Sequence, residues 1–439
     1  MEIQLINASL PLEDESRLYA MHAQGGRWTS VAVQDEDVCT ANAVRLSDIE
    51  GLPETGRPID LEGRMVLPGF VDAHMHLDKA TSIAAVGNRS GTLREAIDNY
   101  GAKVAGFTKA EIKQRIVSTA LMALSRGTTH IRTHLDFHLN QGREIAFRTM
   151  EAALEAREEL KGRISLQLIP MCSFERMGAA GVEAAEELLK LGMDGLGGAP
   201  HLGSDPKTEI SRIFALASRY GVPVDFHADE SDDPARRTVV PIAHRTIEYE
   251  YGGRATAGHL CSLASMPPGE AGEIIGLMAE ARLAAVTLPA VNLYLQGRED
   301  CGPIRRGVTR VKELLAAGVP VAVASDNIQD PFHPFGRADL VQIATIASYA
   351  AHMGGADELR ALLRMITEVP AAIMQLEDYG IREGLPASFV IVDARSVQRL
   401  FIEESPSRWV VSNGRWVSAA VRREWSAAAP AVGSAEMPR

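Results

Sequence analysis

A formal charge of −12 on a chain of 439 residues, 46% hydrophobic and 23% charged, describes an ordinary globular protein and argues against a surface built for nucleic acid. No apolar run is long enough to span a bilayer, and Met1-Glu2-Ile3-Gln4 lacks the basic-then-apolar layout of a secretion signal, so no membrane partner is expected. Cys39, Cys172, Cys261 and Cys301 are far apart and form no CxxC pair, so the expected setting is a reducing cytoplasm, with neither a disulfide framework nor a cysteine-built zinc site.

In chain order, residues 1–66 read as short strands and turns, with strand-like segments at 2–6 and 28–33 and a turn at Gly25-Gly26. The middle of the chain then alternates short apolar strands with amphipathic stretches of helical period. Eight strands are expected: one ending at His74-Met75-His76, then 129–134, 164–169, 195–199, 222–227, 254–259, 284–288 and 319–326. Helical intervals fall at 110–125, 144–160, 182–191 and 308–317. The fourth strand carries the weakest pattern, being nearly all Gly and Ala. Eight such units over roughly 250 residues match a (β/α)8 TIM barrel. Strand texture returns at 388–392 and 408–411, and Asn413-Gly414 is a hairpin turn before Arg415-Trp416-Val417. The expected fold class is α/β. A barrel spans 67–383, a small β-sandwich domain forms from 1–66 and 384–425, and 426–439 is a disordered tail.

His74 and His76 stand two residues apart at the end of the apolar run Met65-Val66-Leu67-Pro68-Gly69-Phe70-Val71. Side chains at i and i+2 of a strand share a face, so both imidazoles can aim at one point, where a divalent metal would hold them. In a TIM barrel, functional side chains gather at the C-terminal ends of the strands. His227, His259 and Asp326 occupy that place on the fifth, sixth and eighth expected strands. Scattered structural histidines would have no reason to fall there. The bland readings are packed strand histidines, a strand cap at His259, and turn chemistry at Asp326-Asn327. The positional agreement favours a metal-dependent hydrolase over them. His22, His130, His138, His201, His244 and His352 show no such agreement and read mostly as surface or satisfied core groups.

The chain resembles the amidohydrolase superfamily, and within it bacterial cytosine deaminase and related amino-heterocycle deaminases. The likeness runs over nearly the whole length. It rests on the run Leu67-Pro68-Gly69-Phe70-Val71-Asp72-Ala73-His74-Met75-His76-Leu77-Asp78, on Ser90-Gly91-Thr92-Leu93 and on Arg132-Thr133-His134-Leu135-Asp136. It rests further on Phe226-His227-Ala228-Asp229-Glu230-Ser231-Asp232-Asp233, on Asn292-Leu293-Tyr294-Leu295-Gln296-Gly297-Arg298 and on Ser325-Asp326-Asn327. The resemblance implies one divalent metal, zinc or iron, held by His74, His76, His227 and Asp326. Binuclear relatives add a bridging lysine carboxylate, and 166–171 contains no lysine, which favours the mononuclear form. Ligand type does not choose between zinc and iron. Glu230, three residues after His227, is assigned the proton shuttle to a ring nitrogen and to the leaving amine. His259 is assigned a hydrogen bond to the attacking water or the developing oxyanion, and Asp326 both binds metal and accepts the water's proton. A small-molecule partner and a homo-oligomer are implied as well.

The pocket departs from that of cytosine deaminase. The family's substrate-reading glutamine falls at about Ser173, which cannot supply the same paired hydrogen bonds. An aspartate after the metal-binding one is Asn327 here, and a pocket tryptophan is Phe332. Gln296 is a further substrate-contact candidate, and Arg298 reads equally as contact or structure. A larger or differently decorated ring fits these changes, such as a pterin, isoguanine or a triazine. The expected function is hydrolytic deamination of an amino-substituted nitrogen heterocycle. Hydrolysis of a cyclic amide or of an N-alkyl amino-triazine is the alternative. A non-catalytic barrel would have no need of all five groups.

Overall fold

The computed structural model describes residues 2–34, 42–53, 56–178, 180–403 and 406–422; Cys39 and the expected tail at 426–439 lie outside them. All eight expected barrel strands form: Phe70–Met75, Thr128–Asp136, Ser165–Met171, Leu196–Gly198, Val224–Ala228, Ala255–His259, Ala284–Thr287 and Val321–Val323. They lie side by side in chain order, and each pairs in parallel with the next. A parallel bridge between Met75 and Asp326 joins the last strand end to the first and closes the barrel. Consecutive strands that run parallel need a crossover, and helices supply it. Lys109–Ser125, Arg143–Leu160 and Gly181–Lys190 match three expected helices within a residue or so. The fourth is cut short to Val311–Ala316, because Arg310 leaves helical geometry and its guanidinium donates to the carbonyls of Leu263 and Met266.

The weak pattern of the fourth strand has a physical reason. A Cβ on Gly197 would sit 2.4 Å from the Asp225 carbonyl oxygen, so only glycine lets the neighbouring backbone approach this closely. The strand gives up apolar side chains, and with them its sequence signal.

The two ends of the chain meet in one nine-stranded mixed sheet. Its central pairing is antiparallel, between Met65–Pro68 and Phe389–Val392. The expected turns at Gly25-Gly26 and Asn413-Gly414 join hairpins on either side. This sheet has its own core, with Leu5, Trp28, Phe389 and Trp409 buried and the Trp28 and Phe389 rings 4.9 Å apart. Met65–Pro68 leads straight into the first barrel strand, so the sheet fixes where the barrel begins.

The barrel interior holds an ion pair. Arg132 is fully buried and donates from Nη1 to Asp225 Oδ2 at 2.7 Å, from Nε to Gln167 Oε1 at 3.1 Å and from Nη2 to the Ile373 carbonyl at 3.4 Å. Removing one partner of such a pair strands the other charge in a poorly solvated interior, at a cost of about 3–5 kcal/mol. Arg132→Ala is therefore expected to lower the urea midpoint strongly, and a midpoint within experimental scatter of wild type would disprove this role.

Candidate active site

Four side chains converge at the C-terminal mouth of the barrel. His74 lies one residue before the end of the first strand, with His76 just past it; His227 lies near the end of the fifth, and Asp326 follows the eighth. All four are 5% exposed or less. His227 Nε2 lies 3.1 Å from His74 Nε2 and 3.0 Å from His76 Nε2. Asp326 Oδ1 lies 3.7 Å from His74 Nε2 and 3.4 Å from His76 Nε2. Four donors around one ion at bond lengths of about 2.0–2.2 Å stand about 3.3–3.6 Å apart at tetrahedral corners; these four separations lie near that range, and His74, His76 and Asp326 form one close group.

Their chemistry fits a cation. Burial, then the neighbouring imidazoles, push His74 and His227 well below the usual histidine range, so both are neutral and carry lone pairs. Burial alone would raise Asp326, but contact with His76 and the nearby His259 outweigh it and hold the carboxyl ionised. Both Asp326 oxygens are buried without a hydrogen-bond partner. A carboxylate so placed is costly unless a cation takes its lone pairs. The His76 ring reaches the His134 carbonyl through Nδ1 at 3.2 Å, which directs Nε2 inward as the ligand atom. A second close group, His74, His134 and His227, competes on distance. His134 Nε2 lies 3.3 Å from Asp225 Oδ1, and neither of its ring nitrogens has a hydrogen-bond partner among the described residues. It reads as a prop under His74, whose ring centre is 4.0 Å away.

The backbone that aims these groups is unusual. Asp229, His259, Leu260 and Asp326 all have positive φ, between 54° and 68°. Such conformations cost non-glycine residues of order 1–3 kcal/mol each and persist where the surroundings enforce them. The enforcement is visible. Asp326 N donates to the His74 carbonyl at 2.8 Å, and buried Asp72 accepts from the backbone N–H groups of His74 and Ser325 at 3.3 and 3.2 Å. Asp229 accepts from Thr238 and Val239 and so anchors the turn that carries Glu230. A Cβ on Gly258 would come within 3.1 Å of the His74 ring, so His74 needs a glycine beside it.

A cavity of about 170 Å³ opens beside this cluster. Glu230 and His259 line it, with His259 Nδ1 3.6 Å from Glu230 Oε1. Burial, then the charge of Asp326, push the Glu230 carboxyl well above its ordinary value, which favours its protonated form. Burial pushes His259 down to about 3, so it is neutral. Ser173, Asn327 and Phe332 also line the cavity, as expected. Gln296 does not: it follows the helix Pro289–Leu295, its side chain packs against Gly307, and it is not among the lining residues. Arg298 stacks 4.6 Å over the Tyr294 ring and donates to the Ser90 carbonyl, bracing two loops.

The sequence reading missed several neighbours. Lys79 is 3% exposed and lines the cavity, with Nζ 2.8 Å from Asp136 Oδ2 and 4.8 Å over the Phe332 ring. Its signal was a lysine placed just past the HxHLD run, where a charge has to be buried. His201, read as bland, is buried and joined through Nδ1 to the His227 carbonyl at 3.0 Å. His138, read the same way, lines the cavity beside Asp136. Nothing in their local sequence marks either.

A closed parallel barrel with this convergent histidine and aspartate cluster defines a hydrolase of the barrel type. The model of the amidohydrolase family matches residues 57–140 and 131–417, and the chain belongs to that family. It is a hydrolase acting on C–N bonds. It is similar to pterin deaminase of Rhizobium rhizogenes, at 34% identity over 81% of each chain. It is also similar to N-isopropylammelide isopropyl amidohydrolase of Pseudomonas, at 31% identity over 81% of this chain and 87% of that one. Among solved structures it resembles 5-methylcytosine deaminase of Klebsiella pneumoniae bound to 5-fluorocytosine, with a TM-score of 0.85 and 30% identity over 98% of this chain and all of the other. Among the described residues, no helix is long and apolar enough to cross a membrane.

The two competing groups separate by metal analysis. His227→Gln and Asp326→Asn are expected to lose the metal, from about one equivalent per chain in the parent, while His134→Gln retains it. Loss on His134→Gln with retention on Asp326→Asn would assign the ion to the other group.

Proposed function

We propose that the protein removes an amino group from an oxo-substituted nitrogen heterocycle of about pterin size, releasing ammonia. The observation that carries this is Glu230, a buried carboxyl lining the cavity beside the four-residue cluster, in surroundings that favour its protonated form. A ring nitrogen next to the attacked carbon needs its own proton donor, and a neutral carboxylic acid supplies one at pH 7.

His74, His76, His227 and Asp326 would hold one divalent ion, zinc or iron. Bound there, it supplies Lewis acidity and lowers the pKa of a coordinated water. The chain's own groups handle the protons. Asp326 takes one proton from the attacking water, and Glu230 gives one to the ring nitrogen. As the carbon–nitrogen bond breaks, the proton held on Asp326 passes to the departing amine and Glu230 recovers the hydroxyl proton. Both groups end as they began, and the product carries a ring N–H and a carbonyl. His259 hydrogen-bonds the oxygen as charge develops on it.

Substrate class is read from the cavity walls. Tyr100, Phe332 and Phe137 offer aromatic surface to a flat ring. Among the described residues Lys79 hydrogen-bonds to Asp136, and an ammonium has three N–H groups. The remainder suit a ring carbonyl or an ionised lactam. Ser173 and Asn327 replace two of the groups that resemblance would have supplied, which supports a ring other than cytosine. The similarity to a pterin deaminase points the same way. Loss of an alkylamine from an N-alkylated amino-triazine is the second reading, and the isopropylammelide relative favours it. A homo-oligomer is proposed on resemblance alone.

Assay of metal-loaded protein on pterins, isoguanine, cytosines and N-isopropylammelide, following ammonia and isopropylamine separately, decides between the readings. Ammonia from a pterin supports the first; isopropylamine alone overturns it. Glu230→Gln is expected to keep its metal and lose about 10²–10⁴ in kcat, and near-normal turnover would refute the shuttle. Lys79→Met is expected to raise KM for oxo-bearing rings about tenfold or more, the worth of a hydrogen bond to a charged group; an unchanged KM would remove Lys79 from the substrate contacts.

A further inference from the structure

We propose that Asn292 is a positioning residue that fixes the tautomer of His259, placing the imidazole proton on Nε2 as a donor to the reacting oxygen. The inference deepens the hydrolytic reading above and rests on it for the role of that oxygen.

Asn292 is fully buried on the helix Pro289–Leu295, which follows the seventh barrel strand. Its Nδ2 lies 3.0 Å from His259 Nδ1. An amide nitrogen only donates, so Nδ1 must accept. A neutral imidazole that accepts at Nδ1 carries its proton on Nε2. That nitrogen is buried and has no partner in the protein. A buried donor without an acceptor is costly, and a site that keeps one reserves it for something that enters. Glu230 lies on the same side of the ring, with Oε1 3.6 Å from Nδ1. Without Asn292, the carboxylate left once Glu230 has given up its proton would draw the imidazole proton to Nδ1 and leave a bare lone pair at Nε2. The asparagine occupies Nδ1 with a donor and prevents this exchange. The proton on the acid and the proton on the imidazole are thereby kept on separate errands.

The backbone holds the ring to this aim. His259 and Leu260 are consecutive left-handed residues, at φ 68° and 55°. Leu260 N donates to the Ala228 carbonyl at 2.9 Å and Ser262 N to the Asp229 carbonyl at 3.2 Å, tying the turn to the segment that bears Glu230. Asn292, His259 and Glu230 thus come from three successive strand ends, with Asn292 hydrogen-bonded to His259 and the Glu230 carboxyl 3.6 Å from the same ring nitrogen.

The test has two arms. Long-range ¹H–¹⁵N correlation on histidine-labelled, metal-loaded protein, with His259→Gln to assign the signal, reads the tautomer directly in the resting molecule. The Nε2–H form is expected; Nδ1–H, which a reversed amide would produce, overturns the proposal. This measurement needs no substrate, so it stands apart from whether the proposed reaction is right. In the second arm, Asn292→Asp presents only acceptors to Nδ1. It is expected to shift the signal to the Nδ1–H form and to lower kcat roughly 10²-fold or more, the cost of one misdirected oxyanion donor, with KM and metal content unchanged. Asn292→Ala, which removes the amide without adding charge, is expected to give a mixture of tautomers and an intermediate kcat. Wild-type kcat with full metal in both variants, or an unmoved tautomer in Asn292→Asp, overturns it.

Discussion

The structure depends on the seam where the barrel closes. The last strand meets the first through the Met75–Asp326 bridge and the hydrogen bond from Asp326 N to the His74 carbonyl. This one contact completes the sheet and brings together two of the four groups that can hold an ion. Asp72 reinforces it from below by accepting backbone N–H groups from both strands. Burial pushes the Asp72 carboxyl up to about 7, so the seam is held by a group that would be better solvated elsewhere. Fold closure and site assembly are therefore one event, and a slip of register at this seam would lose both.

Below the seam, the barrel interior is layered. Inward positions alternate along each strand, so Arg132, His134 and Asp136 stack on one face of the second strand. Arg132 sits at the base with Asp225, His134 lies beneath the His74 ring, and Asp136 meets Lys79 at the cavity wall. Two of these layers are ion pairs across strands, Arg132 with Asp225 and Lys79 with Asp136, and a histidine lies between them, so the interior is not a purely apolar plug.

Much of this was legible in the sequence. Short apolar runs alternating with stretches of helical period located all eight strands, and the HxH pair at a strand end located the site. His227, Glu230, His259 and Asp326 were found because each sits at the C-terminal end of a strand or just past it, a position readable from order along the chain. What escaped depends on distance in space. Lys79 follows the HxHLD run, Asn292 opens a matched segment and His201 sits in an ordinary local context, but what each one does comes from what other strands place beside it. Gln296 failed for the converse reason. It lies within a matched segment, but it caps the helix Pro289–Leu295 with its side chain against Gly307, and it does not line the cavity. The fourth strand was faint because glycine was selected there for close backbone approach, which erases hydrophobic patterning.

The pairing of Met65–Pro68 with Phe389–Val392 sets an order on folding. During synthesis the N-terminal strands emerge first, yet one edge of Met65–Pro68 stays open until the chain beyond the barrel leaves the ribosome. An open strand edge invites association with other chains. The interval in which the barrel is made is also the interval in which this molecule is most exposed to misassembly, and the C-terminal strands act as the latch that ends it.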